Sequence, residues 1–241
     1  MKLELCAASI EAITLAKSLD FDRIELCQNL EQGGLTPSAG MITYALDHGI
    51  DTHVLIRPRA GGFCYSPEEI AVIERDLAFC QQVGVQGVVV GILKSNFDLD
   101  IEALATLKQQ FPDFVWTFHR AFDESIDWKR SMDHLIKLGF HRILTSGFAS
   151  HVDIGLPILK EMKGYSNGRI EIMAGGGVNA GNIAKIAKGA QPDAIHFSGT
   201  TKVLLDEDSA FSETILKVEE QRVQRILDAV RGELKQIIRF I

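Results

Sequence analysis

Eight short apolar segments alternate with helical patterns along this chain of 241 residues. The segments are rich in β-branched, leucine or aromatic residues and begin near Leu3, Arg23, Thr52, Val85, Phe114, His141, Arg169 and Asp193. Eight strand–helix units predict an α/β fold, a (β/α)8 TIM barrel, and the length agrees with the roughly 250 residues typical of that barrel. No linker composition interrupts the chain, so residues 1–241 are predicted to form a single domain.

Most of the predicted strands alternate apolar residues with ionisable ones. The ionisable residues share one parity and are Glu4, Glu25, His53, Arg57, His119, Glu171 and His196. One face of a barrel strand packs against the helices and the other faces the axis, so this parity predicts an ionisable chamber inside the barrel. The sixth strand is less regular and offers only Thr145 as an inward polar group.

Two interpretations of the chamber remain open at this point. It is either a functional site, since barrel chemistry lies at the ends of strands, or an internal network of salt bridges that holds Glu4, Glu25 and Glu171 against Arg57. Buried ion pairs often cost as much in desolvation as they return in attraction, which favours the functional site.

The last helix is predicted from about Glu213 and extends the C-terminal end of the barrel. Its apolar residues recur at helical spacing and are Val223, Ile226, Leu227, Val230, Leu234, Ile237 and Ile238. Together with the apolar end at Phe240 and Ile241, this pattern indicates either a homodimer contact or a helix that packs only on its own barrel.

Composition narrows the setting of the protein. The net charge of −7, without a basic stripe, argues against nucleic acid and anionic membranes as partners. No apolar run reaches the length of a membrane helix, and Glu4 interrupts any signal-peptide core, so a cytoplasmic protein is expected. The four cysteines are therefore predicted to be thiols rather than disulfides.

Two loops at strand ends carry the pattern of an anion site. Gly175, Gly176 and Gly177 follow the seventh strand, and Ser198 and Gly199 follow the eighth. These are the loops that form the phosphate site of many barrel enzymes, where backbone N–H groups point at the anion. A triple glycine also serves tight turns, but the two loops together predict a bound phosphate or other small anion.

Side chains after other strands could complete such a site. Arg57 and Arg59 follow the third strand and could bind a carboxylate or phosphate through their guanidinium groups. His119, which ends the fifth strand, and Glu25 are the candidate catalytic acid and base. The inward parity carries no lysine, which argues against a Schiff-base aldolase, and nothing indicates an organic cofactor.

Cys6 and Cys27 end the first and second strands on the inward parity. Adjacent strands lie about 4.8 Å apart, so the two thiols are predicted to converge at the mouth of the barrel. Paired thiolates without a harder ligand favour Cu(I). The alternative is that both cysteines are small buried hydrophobic residues, as Cys80 within the third helix is predicted to be.

Several motifs closely resemble the CutC family. They are Ile24-Glu25-Leu26-Cys27, residues 31–38, Ile56-Arg57-Pro58-Arg59, residues 117–123, Leu144-Thr145-Ser146-Gly147 and residues 172–178. The resemblance runs from Leu3 to about Ser198. It implies a cytoplasmic (β/α)8 barrel linked to copper homeostasis, with Cu(I) bound by Cys6 and Cys27.

Three hypotheses for the function follow. The first is a copper homeostasis protein that binds Cu(I) at the barrel mouth. The second is an acid/base enzyme on a small phosphorylated or carboxylated metabolite, in which Glu25 and His119 exchange a proton with the substrate. The third is a non-catalytic anion-binding or scaffolding barrel. The fold is compatible with all three.

Overall fold

The computed structural model describes residues 1–204 and 214–238, and its centre is a closed barrel of eight parallel strands. The strands are β1 (Lys2–Ala7), β2 (Arg23–Leu26), β3 (Thr52–Leu55), β4 (Gly87–Val90), β5 (Val115–Phe118), β6 (Arg142–Thr145), β7 (Glu171–Ala174) and β8 (Ala194–Phe197). Each strand pairs with the next along the chain, and β8 pairs with β1 to close the barrel. The predicted (β/α)8 fold is confirmed.

Helices connect the strands and form the outer layer. They are α1 (Ile10–Ser18), α2 (Ala39–Asp47), α3 (Pro67–Gln82), α4 (Ile101–Gln110), α5 (Trp128–Lys137), α6 (Val152–Ser166), α7 (Ile183–Gly189) and α8 (Glu220–Ile238). Local sequence explains where they begin. Ser66, for example, forms a reciprocal capping box with Glu69 at the start of α3, and Pro67 occupies the first helical position.

The chain after the barrel differs from its prediction. The last helix begins at Glu220 rather than near Glu213, because Thr214–Val218 forms a strand, β10, that pairs antiparallel with β9 (Thr200–Leu204). β-branched residues occupy three of the five positions in each of these strands, which suits an extended two-stranded ribbon. Four side chains are buried within residues 220–230 of α8, namely Val223, Ile226, Leu227 and Val230, whereas the side chains of Leu234, Ile237 and Ile238 lie outside the described part. The predicted apolar end at Phe240 and Ile241 lies outside the described residues.

The two parities of the strands separate as predicted. Ile24, Val54, Phe118 and Ile172 belong to the apolar core between barrel and helices. The ionisable parity points inward, and Arg142 on β6 reaches His53 on β3 across the barrel, at 3.4 Å. The prediction for β6 was wrong, because Arg142 is the inward polar residue. Thr145 has the opposite parity.

The predicted partners inside the barrel were also wrong. Glu4 pairs with Arg23 rather than Arg57, and Glu171 pairs with Arg142 at 2.8 Å. Neighbouring strands explain this, because β1 aligns Glu4 with Arg23 and β6 aligns Arg142 with Glu171. Adjacent register therefore decides the pairs in the lower half of the barrel.

None of the helices in residues 1–204 and 214–238 has both the length and the apolar character that a membrane crossing requires. All four cysteines are free thiols. Cys64 is exposed, whereas Cys80 lies fully buried in the helix-facing core, as its position in α3 predicted.

Candidate functional site

A cavity of about 460 Å³ opens at the carboxyl ends of the barrel strands. This is the end at which barrel enzymes place their chemistry. Its polar lining comes from many separate strand ends and loops: Cys6, Glu25, Arg57, His119, Arg120, His151, Gly176, Gly177, Asn179, His196, Ser198, Gly199, Thr200 and Arg222. The cavity thus gathers most of the residues that the sequence singled out as candidates.

The two thiols converge as predicted, but only Cys6 reaches the cavity at the barrel mouth. Cys6 Sγ and Cys27 Sγ lie 3.7 Å apart, and Cys6 Sγ lies 3.5 Å from a carboxylate oxygen of Glu25. Cys6 lines the cavity, while Cys27 is completely buried behind it. The hydrogen bond between the Cys6 and Cys27 thiols, together with burial, raises the pKa of the Cys6 thiol well above its usual range. Without a bound cation, Cys6 is therefore a neutral thiol at physiological pH.

Glu4 and His196 form a charged pair directly beneath the thiols. Glu4 Oε1 lies 2.7 Å from His196 Nδ1, and Glu4 Oε2 accepts a hydrogen bond from Arg23 Nε. Burial raises the pKa of Glu4, but the hydrogen bond and charge of His196, with Arg23, outweigh burial and bring it below its usual range. Burial lowers the pKa of His196, but the negative charges of Glu25 and Glu4 and the hydrogen bond with Glu4 outweigh burial and raise it above its usual value.

The other ring nitrogen of His196 faces Glu25. His196 Nε2 lies 3.7 Å from Glu25 Oε2, and the side chain of Glu25 is nearly buried. Burial, supported by the charge of Glu4, raises the pKa of Glu25, although the imidazolium of His196 opposes the change. A buried carboxyl group with a raised pKa has the properties of a general acid or base.

Cys6, Glu25 and His196 bring three potential ligand atoms within 4.8 Å of one another. The sequence predicted Cys6 and Cys27 as the metal ligands and did not assign His196 to that group. His196 is 190 positions from Cys6 along the chain, but β1 and β8 are neighbours in the closed barrel. Its inward parity on the last strand was the available signal.

His119 ends β5 inside the cavity, where the sequence placed it. Its Nδ1 accepts a hydrogen bond from the backbone N–H of Ala121 at 3.0 Å. Burial and the charge of Arg57 lower the pKa of His119 to about 3. Gly91 makes room for the ring, since a Cβ there would lie 2.2 Å from His119 Cε1.

The two candidate arginines have different surroundings. Arg57 lines the cavity, is 6% exposed, and donates through its Nη atoms to the carbonyls of Gln32, Gly34 and Gly61. Arg59 does not line the cavity, because its guanidinium pairs with Glu69 on α3.

The glycine loops are only partly in the cavity. Gly176 and Gly177 line it with φ angles of +90° and +86°, and Ser198 and Gly199 line it from the next loop. Gly175 does not belong to the lining, since a Cβ there would lie 2.6 Å from Leu144 and it packs against β6 instead.

Asp123 fixes Arg120 at the rim of the cavity. Its carboxylate accepts hydrogen bonds from Arg120 Nε at 2.9 Å and from the backbone N–H and hydroxyl of Ser146, as well as from Thr145. Arg120 Nη2 also donates to Ser146 Oγ at 2.8 Å. The guanidinium consequently lies over Gly176, where a Cβ would approach Arg120 Nη1 to 3.1 Å.

Comparison with known proteins agrees with the resemblance found in the sequence. The model of the CutC family matches residues 1–201. A CutC family protein from Glaesserella parasuis is 39% identical over 240 residues, which cover 98% of this chain and 99% of that protein.

Solved structures give the same result. The crystal structure of a CutC protein from Streptococcus agalactiae, described as a copper homeostasis protein, has a TM-score of 0.77 at 36% identity and covers 81% of this chain and 98% of its own. N-(5'-phosphoribosyl)anthranilate isomerase from Pyrococcus furiosus has a TM-score of 0.58 at 13% identity, covering 96% of this chain and 99% of its own. This second likeness shows the barrel fold alone.

Proposed function

The chain belongs to the CutC family, and we propose that it acts in copper homeostasis by binding one Cu(I) ion through Cys6 and Cys27. The observation that carries the proposal is the separation of 3.7 Å between the two sulfur atoms. Soft thiolates are the ligands that select Cu(I) over harder cations.

The separation of the two hydrogen-bonded thiols is compatible with a bent arrangement of sulfur ligands. With metal–sulfur bonds of about 2.3 Å, collinear ligands would place the sulfurs about 4.6 Å apart, whereas 3.7 Å corresponds to a bond angle of about 110°. Such an angle leaves room for a further ligand on the cavity side. We therefore propose three-coordinate Cu(I) rather than a linear pair.

His196 supplies the third ligand in this proposal. Its Nδ1 is held by Glu4 at 2.7 Å, and its Nε2 faces the group formed by Cys6 and Glu25. Histidine ligands of metals commonly donate their second ring N–H to a carboxylate, which fixes the ring, and Glu4 occupies that position. The cytoplasmic location predicted from the sequence belongs to the proposal, since a reducing compartment keeps both thiols free.

Anaerobic titration with Cu(I) against a competing chelator tests the proposal. We expect one ion per chain in the wild type and loss of tight binding in both Cys6→Ser and Cys27→Ser. Cys64→Ser, which removes an exposed thiol elsewhere, is the matched control. Binding that survives in either of the first two variants would contradict the site.

X-ray absorption on the Cu(I)-loaded protein tests the third ligand separately. We expect two sulfur neighbours and one nitrogen neighbour, with the nitrogen lost in His196→Leu. Two sulfurs alone in the wild type would exclude His196 and restore the two-coordinate interpretation.

A second candidate is an enzyme that acts on a small anionic metabolite. The cavity volume of about 460 Å³ suits a small ligand, and Glu25 has the raised pKa of a proton-transfer group. Purified protein with and without Cu(I) would be screened against phosphorylated and carboxylated metabolites, with Glu25→Gln as the inactive control. Turnover unaffected by Glu25→Gln would contradict this role.

Two further predictions from the sequence, a non-catalytic scaffolding role and a homodimer, stay predictions.

A further inference from the structure

His119 presents a hydrogen-bond donor without an acceptor. The lone pair of its Nδ1 is occupied by the N–H of Ala121, so a neutral ring carries its proton on Nε2. This Nε2 is buried, and no acceptor for it exists among residues 1–204 and 214–238. A buried donor that makes no hydrogen bond costs roughly 1–3 kcal/mol, which a bound acceptor would recover.

Arg57 presents a buried charge beside this donor. Its Nε has no hydrogen-bond partner in the described part of the chain, and within that part no carboxylate forms an ion pair with its guanidinium. Three backbone carbonyls solvate the Nη atoms but supply no negative charge. Buried cations in proteins are normally paired with a negatively charged group, so we expect an anion to bind beside Arg57.

The two groups pack against the same aromatic ring in the wall of the cavity. The ring of Phe63 packs against both, with 4.8 Å between its centroid and that of His119 and 5.1 Å to the Arg57 guanidinium carbon. Arg57, His119 and Phe63 all line the cavity. A negatively charged hydrogen-bond acceptor at this place would accept a hydrogen bond from His119 and would also neutralise the charge of Arg57.

We propose that the cavity binds a small organic oxyanion, a carboxylate or phosphate, whose oxygens accept hydrogen bonds from His119 Nε2 and Arg57 Nε. His119 acts as a neutral donor in this site and not as the proton acceptor that its sequence position suggested. A neutral imidazole that donates to an oxygen can also polarise a carbonyl group.

The glycine loops extend the site. Gly176 and Gly177 line the same cavity. Their N–H groups donate no hydrogen bond to a backbone carbonyl of the described residues. Neighbouring backbone N–H groups that are left free in a turn form an anion-binding concavity. Arg120, held over Gly176 by Asp123, adds positive charge on this side.

The test is NMR of the histidine side chains and backbone amides during titration with inorganic phosphate and, separately, malonate. We expect His119 in the Nε2–H tautomer and saturable shifts of His119 Nε2 and of the amides of Gly176 and Gly177. Preference for phosphate or for malonate identifies which oxyanion the site takes, and either preference supports the proposal. An Nδ1–H tautomer, or no shift with either anion, would overturn it.

Variants of His119 separate donor loss from misfolding. His119→Leu is expected to weaken anion binding at least about tenfold, the effect of losing a hydrogen bond to a charged group. His119→Gln keeps an N–H donor and is expected to retain most of the affinity, and His134→Leu on α5 is the matched control. Equal affinity in His119→Leu and wild type would refute the site.

The proposal does not rest on copper binding. His119 lies outside the group of Cys6, Glu25 and His196, so His119→Leu is expected to bind Cu(I) like the wild type. Loss of phosphate binding with normal Cu(I) binding in this variant supports the anion site by itself. Failure of Cu(I) binding in the wild type leaves the anion titration fully interpretable.

Discussion

Glu4 and His196 stand 192 positions apart in the sequence and only 2.7 Å apart in the barrel, where β1 closes against β8. Their contact fixes the ring of His196, whose other nitrogen faces Glu25 and Cys6. The same carboxylate holds Arg23. The floor of the cavity therefore depends on one fully buried carboxylate with two cationic partners.

We predict that Glu4→Gln is strongly destabilising. The amide keeps the shape of the side chain but removes the negative charge that Arg23, which is 1% exposed, faces on the neighbouring strand. Removal of one partner from a buried pair costs about 3–5 kcal/mol. The free energy of unfolding is measured with urea at neutral pH.

The matched control is Asp98→Asn, which breaks the solvent-exposed pair of Asp98 with Arg130. An exposed pair contributes less than about 1 kcal/mol. If Glu4→Gln cost no more than this control, Glu4 would not be the anchor of the cavity floor.

The sequence predicted the barrel and the inward position of its ionisable residues because both follow from local periodicity. It did not predict which residues pair. The partner of Glu4 depends on strand register, and the contact of Arg142 with His53 crosses the barrel between strands that do not touch. The proximity of His196 to Cys6 and Glu25 was missed for the same reason, since closure of the barrel is not a local property.

Loop positions show the same limit. Gly176 and Gly177 line the predicted site, but Gly175 packs on β6 and Arg59 pairs with Glu69. The residue types suited anion binding in every case. Only the three-dimensional path of each loop decides which of them face the cavity.

His53 is expected to make the protein sensitive to acid. It is buried among Glu4, Arg23 and Arg142, with Asp51 at 3.6 Å, and burial lowers its pKa from 6.5 to about 3. The unfolded chain takes up a proton below pH 6.5 that the folded protein takes up only near pH 3. The contribution of neutral His53 to the free energy of unfolding is therefore complete above pH 6.5. It is lost as the pH falls from 6.5 towards about 3.

The comparison that checks this is wild type against His53→Gln. Between about pH 6.5 and pH 4.5, the wild type should lose roughly 2–3 kcal/mol more than the variant, at 1.36 kcal/mol per pH unit. His134→Gln on α5 should lose as much as the wild type. Parallel curves for wild type and His53→Gln would show that His53 takes up its proton normally in the folded state.

Two glycines of α6 are expected to respond oppositely to alanine. A Cβ at Gly155 would lie 1.7 Å from the backbone oxygen of Ser146, in the loop that also positions Arg120. Gly155→Ala should cost about 3 kcal/mol or more, because backbone cannot yield as a flexible side chain does. A Cβ at Gly164 would meet no atom of another part of the protein within 4 Å, and alanine there should stabilise the protein by about 0.5–1 kcal/mol.

Urea unfolding of both variants checks this pair on one helix. Similar stabilities for the two would mean that α6 and the loop after β6 can move apart. In that case Arg120 would not be held in place by close packing of the backbone.

Gly91→Ala is expected to weaken anion binding although it replaces no residue that contacts the anion. Its Cβ would lie 2.2 Å from His119 Cε1, so the imidazole ring must leave the position that it holds in the wild type. The affinity for inorganic phosphate should fall at least about tenfold, as it does when the donor is deleted. Gly62→Ala, where a Cβ meets no atom within 4 Å, is the control.

The double variant Gly91→Ala/His119→Ala distinguishes displacement of the ring from general misfolding. Truncation of the imidazole removes the two shortest contacts and leaves the one with Ala121 Cβ at 2.8 Å, so the double variant should be more stable than Gly91→Ala alone while its phosphate affinity stays low. Stability and affinity that recover together would mean that His119 is not the donor. Affinity that stays low after stability recovers is expected only if the loss of binding comes from the imidazole N–H itself.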